Sequence, residues 1–232
     1  MIDRYSITTS ADVIRERFSV DFLDLYKAHY NAAPTRLLPV ITASGAKGIS
    51  SFYWGTSPEW SKNKVVSEKI INTRAESFAE KPSLLKALKK NRCIIPADGF
   101  YGWKKVGKKT AIPYRFVLNT RDPFSIAGLW EEFEDTDGNQ IRTFTMITQV
   151  ANDLVSQVQE RMPVILTRQS EKVWLDNGSN EETLLGLLTT YPAAAMNHYP
   201  VSPGISDVRS DVPSLIIPTP PSDQHGNLTL FD

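Results

Sequence analysis

With 232 residues, 41% hydrophobic and 22% charged, the chain is long enough to bury a substantial core and short enough to form one globular unit. Its 26 basic and 26 acidic side chains cancel, which excludes strong indiscriminate attraction to nucleic acid and leaves any such role to a local patch. No apolar run reaches the roughly 20 residues of a membrane span or has the layout of a signal peptide, and lone Cys93 has no internal disulfide partner; a soluble, cytoplasmic protein is expected.

In chain order, residues 11–18 carry Val13, Ile14 and Phe18 near the helical period behind Ser10 as N-cap, predicting a short first helix. Residues 37–42 and 49–54 read as strands from their β-branched and aromatic content, with a hairpin turn at 44–48. A second helix is predicted over 83–90, where Leu84, Leu85 and Leu88 share one side. Strands follow at 92–95, 100–104, 113–118, 124–130, 141–148 and 164–166, separated by turn residues such as Asp135-Thr136-Asp137-Gly138. Cys93 falls in the apolar run Cys93-Ile94-Ile95 and reads as a buried strand thiol. Short helices are predicted at 170–175 and 181–187. Strands with helices in pieces around them argue for an α+β fold rather than a regular βαβ alternation. There is no internal repeat and no glycine-rich phosphate loop.

From about Pro213 the texture changes: Pro213, Pro218, Pro220 and Pro221 precede small polar residues and a final apolar pulse, Leu228-Thr229-Leu230-Phe231. Such a composition reads as a tether with a sticky end. The expected division is a domain at 1–215 and a Pro-rich tail at 216–232.

Several blocks carry a more specific signal: Asn31-Ala32-Ala33-Pro34-Thr35, Trp54-Gly55-Thr56-Ser57-Pro58-Glu59-Trp60, Ile71-Asn72-Thr73-Arg74-Ala75-Glu76, Pro96-Ala97-Asp98-Gly99-Phe100-Tyr101-Gly102-Trp103, Arg161-Met162-Pro163-Val164-Ile165-Leu166 and Tyr199-Pro200-Val201-Ser202. Together, in this order, they resemble the SOS-response-associated peptidase family over roughly residues 1–215. The resemblance implies strongly curved mixed and antiparallel sheets, an open-barrel-like α+β fold with short flanking helices. It also implies capture of abasic sites in single-stranded DNA, where an N-terminal cysteine condenses with the ring-opened sugar aldehyde to a thiazolidine.

Three positions depart from that pattern. Where the family begins Met-Cys-Gly-Arg, this chain has Met1-Ile2-Asp3-Arg4; Gly102 stands for the acid of Gly-Phe-Tyr-Glu-Trp; Gln159 stands for the imidazole of His-x-Arg-Met-Pro. Ile2 has no thiol, Gly102 no side chain, and the Gln159 amide does not titrate near neutral pH, so a stable thiazolidine at residue 2 is chemically excluded. A reversible imine on the Met1 amine remains open, because an α-amine with a pKa of about 7.7 to 8.0 is partly neutral at physiological pH. Ile2, Asn72, Gly102 and Gln159 therefore read as a vestigial site, with Met1 as its remaining amine.

Other matching positions point to a nucleic acid. By the resemblance Asn72 orients the sugar, Arg74 and Arg161 contact phosphates, and Arg4 lies close to the terminus. The competing reading of an Arg between strands is a buried salt bridge, to Glu76 or Asp98. Trp54, Trp60 and Trp103 offer faces for unstacked bases, and Trp60, flanked by Pro58 and Lys62, is the best of them; Trp54 and Trp103 read equally as core. Lys104, Lys105, Lys108 and Lys109 make a basic hairpin or simply a solvated turn. His29, His198 and His225 have no metal-ligand spacing, and of the three His198 is placed to approach the pocket through the Val201 segment. No cofactor or metal is implied.

Asn227-Leu228-Thr229-Leu230-Phe231 resembles the peptide by which bacterial proteins dock on the replication sliding clamp, so Leu228, Leu230 and Phe231 are expected either to bind that partner or to fold back as an edge strand. The leading expectation is a monomer that binds single-stranded or abasic DNA in the DNA-damage response without covalent capture. The alternatives are an active abasic-site lyase or autopeptidase using the Met1 amine, and a protein-interaction module without DNA affinity.

Overall fold

The apolar run around Ile94 becomes β7 (Arg92–Ala97), a strand buried along its whole length because it has neighbours on both sides. The computed structural model describes residues 2–22, 26–42, 48–57, 68–135, 137–223 and 225–228. In chain order its strands are β1 (Tyr5–Ile7), β2 (Asp21–Phe22), β3 (His29–Ala32), β4 (Leu37–Thr42), β5 (Gly48–Trp54), β6 (Asn72–Arg74), β7, β8 (Gly99–Lys105), β9 (Ala111–Leu118), β10 (Phe124–Glu134), β11 (Gln140–Val150), β12 (Arg161–Pro163), β13 (Ile165–Leu166) and β14 (Met196–Pro200). The helices are α1 (Ala11–Phe18), α2 (Glu68–Ile71), α3 (Pro82–Lys90), α4 (Arg168–Leu175) and α5 (Glu181–Gly186).

β7 pairs antiparallel with β10 and with β4, β10 with β11, and β4 with β5. Parallel pairing of β5 with β11, through Tyr53–Thr143 and Trp54–Phe144, closes these five strands into a barrel. Closure satisfies strand edges that would otherwise remain unpaired. A second, five-stranded sheet in the order β14-β9-β8-β1-β3 lies alongside. This is the expected α+β architecture of curved mixed sheets with short helices, its central ring fully closed.

Aromatic and guanidinium groups join the layers. Trp54 is fully buried, stacked on Phe144 (centroids 6.1 Å apart) and edge-on to Tyr5 of the second sheet (5.4 Å), while its indole N–H donates to the Ile71 carbonyl at 2.9 Å. Of the two readings open from the sequence, base-stacking face or core, it is core. Arg92 is equally buried; its guanidinium donates to the carbonyls of Leu88, Lys89, Trp174 and Asp176. Those carbonyls end α3 and α4, so one charge satisfies orphan acceptors of two helices. Cys93 is a buried free thiol, as expected, and burial pushes its pKa up.

Asp98, between β7 and β8, ties barrel to sheet. Its carboxylate accepts from Ser6 Oγ (2.7 Å), from the backbone N–H and hydroxyl groups of Thr8 and Thr9, and from Arg115 Nη2 (2.8 Å). Burial alone raises its pKa, but Arg115 and the donors of Ser6 and Thr8 outweigh that and hold it below the usual carboxylate range. The close approach explains Gly99, where a Cβ would sit 2.6 Å from Arg115 Nε.

Three expectations are modified. Ser10 is the N-cap residue of α1, but its side chain makes no capping hydrogen bond. The strand expected at 164–166 is reduced to β13, and Val164 links it to β12, its N–H donating to Ile147 O while its carbonyl accepts from Ala127. The stretch from Pro213 does not leave the domain at once: Leu215 is buried, Val201 pairs with Pro218, and Ser222 and Asp223 are buried. Just upstream, Asp211 binds His29 Nδ1 at 2.8 Å and Arg36 Nη1 at 2.7 Å, and the Asn31 amide donates to three carbonyls of residues 205–210. The hairpin turn expected at 44–48 falls almost wholly outside the described residues.

Asp98→Ala is expected to destabilise the fold by about 3 to 5 kcal/mol at pH 7, because it leaves Arg115 buried and unpaired. Since the folded pKa of Asp98 is depressed, its stabilisation is present above the unfolded value of about 3.9 and is lost as pH falls through the folded value. Urea midpoints at pH 7 and in acid, for wild type and variant, check both the size and the sign.

Candidate functional site

Strand ends bring the positions singled out in the sequence onto one circuit of contacts. Ile2 is fully buried, and its carbonyl accepts from Asn72 Nδ2 at 2.7 Å. Asn72 opens β6, whose parallel pairing with β11 sets Asn72 against Met146 and Arg74 against Thr148. Thr148 is also the anchor of Arg161, which donates from Nε to its hydroxyl (3.2 Å) and from Nη2 to its carbonyl (2.8 Å). The Arg161 carbonyl accepts from Gln159 Nε2 at 2.9 Å. The Gln159 amide lies 2.8 Å from where a Gly102 Cβ would be. Gly102 returns the circuit to the start along β8, which pairs with β1 through Tyr5–Phe100.

The face around Gly102 is aromatic. Phe100, Phe116 and His198 form one cross-strand row over β8, β9 and β14, with Phe100 stacked on Phe116 (4.9 Å) and Phe116 on the imidazole (5.5 Å). His198 thus reaches the neighbourhood of Gly102 through Phe116 rather than through the Val201 segment. Burial, and then the positive charge of Lys104, lower its pKa below the usual value. By strand alternation Lys104 shares the Gly102 face, and Lys105 points the other way.

Of the basic residues, Arg161 makes the salt bridge that was the competing reading, with Glu76 at 2.9 Å; burial pushes the Glu76 pKa up, but the hydrogen bond and charge of Arg161, with a backbone hydrogen bond and the charge of Arg74, together hold it below the usual carboxylate range. Arg74 is exposed at the end of β6. A shallow groove lined by Ala75, Phe78, Val150, Leu185 and Leu188 borders the Glu76 pair. Arg4 is buried, donating to the Asp3 carbonyl at 2.6 Å and lying 3.5 Å from its carboxylate. Burial first, and then the like charge of Arg36, lower its pKa although Asp3 opposes them. Burial raises the Asp3 pKa, with Arg4 opposing.

Three buried polar atoms in this region have no hydrogen-bond partner: Asp3 Oδ1, Arg4 Nε and Asn72 Oδ1. Sequence reasoning passed over Asp3, although the signal was there, since an acid stands where the family block has Gly. It also missed Thr148 and Phe116, whose roles depend on strand neighbours. Trp103 is half-buried against Tyr101 and Val201, and Lys105, Lys108 and Lys109 are exposed. Met1, Trp60, Leu230 and Phe231 lie outside the described residues, and Leu228 is exposed. Among the described residues no group of three or more His, Cys, Asp or Glu could hold a metal ion, and no helix is long and apolar enough to cross a membrane.

Comparisons with known proteins identify the family. Residues 1–208 match the family described as SOS response associated peptidase (SRAP). The chain is similar to the abasic site processing protein YoqW of Bacillus subtilis, 39% identical over 93% of this chain and 99% of that protein. It is also similar to the abasic site processing protein HMCES of Gallus gallus, 28% identical over 83% of this chain and 67% of that protein. A crystal structure of a protein from Bacteroides thetaiotaomicron superposes with a TM-score of 0.80 at 25% identity, over 93% of this chain and 99% of the other.

Gly102→Ala is expected to lower stability by about 1 to 2 kcal/mol, because the new methyl group displaces the Gln159 amide from the Arg161 carbonyl. In a Gln159→Ala background the same change has a much smaller effect. A double-mutant cycle by urea denaturation measures this coupling; additive effects would mean that the two positions are not in contact.

Proposed function

Since the chain belongs to the SOS response associated peptidase family, we propose that it binds single-stranded DNA, abasic sites in particular, without forming a thiazolidine crosslink. The observation that carries this reading is the packing at the centre of the circuit, where the Gln159 amide fills the space beside Gly102 while Ile2 is buried as core. A frame of strand ends is retained, and the groups that would transfer protons or attack an aldehyde are replaced by side chains that only pack or hydrogen-bond. Family membership supplies the substrate class, and the names of the abasic site processing relatives point the same way.

In this reading Asn72 holds the sugar. Arg4, Arg74 and Arg161 with Lys104 and Lys105 supply positive charge for the phosphates, and Trp60 supplies a face for a neighbouring base. The Glu76 carboxylate shares Arg161 with the strand, so phosphate binding there competes with an ion pair. The tail residues Leu228, Leu230 and Phe231 dock a sliding clamp; the exposure of Leu228 leaves it accessible to such a partner. The protein acts as a monomer in the cytoplasm, associated with the nucleoid when bound to DNA.

A second reading keeps residual lyase or autopeptidase activity on the Met1 amine. His198 favours it, because a half-buried imidazole with a lowered pKa on the Gly102 face is a proton acceptor. Borohydride reduction in the presence of abasic single-stranded DNA separates the readings: a trapped adduct that disappears when the α-amine is acetylated supports the enzyme.

Binding to a short single strand is expected to weaken with salt. Arg74→Ala with Arg161→Ala should flatten the dependence of log K on log salt by about 1.4, at about 0.7 per lost phosphate contact. Fluorescence anisotropy over a salt series measures this. Absence of binding at low salt would leave the protein-interaction alternative in its place.

A further inference from the structure

The carboxyl group of Asp3 lies at the emptied position and has no counterpart in the family block. β1 pairs with β8 through Tyr5–Phe100, and the Tyr101 amide donates to the Arg4 carbonyl at 3.2 Å. Continuing this pairing by one residue carries Asp3 to the level of Gly102, and alternation puts it on the same face as Tyr5 and Phe100. The Asn72 amide is bonded to the carbonyl of the preceding residue, Ile2, so Asp3 and Asn72 are immediate neighbours.

Their polar atoms are arranged for a ligand. One N–H of Asn72 Nδ2 donates to Ile2 O, and its carbonyl oxygen is buried without a partner. Asp3 Oδ1 is likewise buried without a partner, while 29% of the Asp3 side chain remains exposed. Arg4 Nε, the third orphan, is a donor on a residue that is 9% exposed. Orphaned buried polar atoms are costly, and native structures leave few of them without a role. A carboxylate and an amide oxygen can only accept. An unpartnered carboxylate oxygen fits a group that carries a hydroxyl and disfavours one that presents a bare carbonyl oxygen.

We propose that Asp3 makes this site selective for the forms of the abasic sugar that carry a hydroxyl on C1′, the cyclic hemiacetal and the hydrated aldehyde, rather than for the free aldehyde. This deepens the DNA-binding reading above and rests on it. The hydroxyl on C1′ donates to Asp3 Oδ1, in the hydrated aldehyde the second C1′ hydroxyl donates to Asn72 Oδ1, and Arg4 Nε donates to a sugar or phosphate oxygen. Asp3 is thus a specificity-determining residue, and no bond is made or broken.

The test uses two single strands of one sequence. One carries a borohydride-reduced abasic site, which has a hydroxyl on C1′ and cannot form an imine; the other carries a tetrahydrofuran, which has only hydrogen there. The full chain is expected to prefer the reduced site by about tenfold, the scale of one hydrogen bond to a charged group. Asp3→Ala should bring the ratio close to one while leaving tetrahydrofuran affinity within about twofold, which also reports that the variant is folded; Asp3→Asn, with one acceptor retained, should fall between. Equal binding of both strands by wild type, or an unchanged ratio in Asp3→Ala, overturns the inference and leaves the DNA-binding reading standing. Failure of wild type to bind either strand overturns both.

Discussion

The structure depends on one buried carboxylate. Asp98 lies where the chain passes from the barrel strand β7 to the sheet strand β8, and it gathers donors from Ser6, Thr8, Thr9 and Arg115. Without it the N-terminal strand would have only a few ladder bonds to hold it, since β1 is three residues long. A hydrogen-bonded, charge-compensated acid can fix a short strand because each donor it takes up would otherwise be left buried and unsatisfied. Because β1 is fixed, residues 2–4 are held at the mouth between β6 and β8, and the site is defined by that placement.

The N-terminal segment is also where packing and polarity compete. Ile2 sits in the same apolar cluster as Tyr5, Trp54 and Phe100, which drives the segment inward. Immediately after it, Asp3 and Arg4 are drawn into partial burial with polar atoms left over. A soluble fold can tolerate a few such atoms, and their concentration at one end of one strand gives the site its chemical character. On the Gly102 face the Gln159 amide lies beside the aromatic row of Phe100, Phe116 and His198.

Much of the secondary structure was legible because it follows local rules. The helix at Ala11–Phe18 and the strand at Leu37–Thr42 have the bounds expected from periodicity and β-branching. Thr167 and Asn180 cap their helices as short polar residues do, whereas Ser10, of the same type, does not, since capping needs a side-chain rotamer as well as a residue type. The Pro-rich stretch read as a tether because composition says nothing of a groove into which Leu215 can settle. Trp54 read equally as face or core for a similar reason: an indole in a strand is core or surface according to what the opposite strands present, here Tyr5 and Phe144.

By itself the sequence determined the α+β class, the central strands and short helices, the family and the chemistry that residues 2, 102 and 159 lack, because these follow from residue types and local spacing. The tertiary structure decided that β5 and β11 close the barrel, that Gln159 occupies the space beside Gly102, that Arg161 is shared with Glu76, and that Asp3 stands beside Asn72. These facts join residues tens of positions apart through strand register. Register is set by how whole faces pack, which no local pattern encodes.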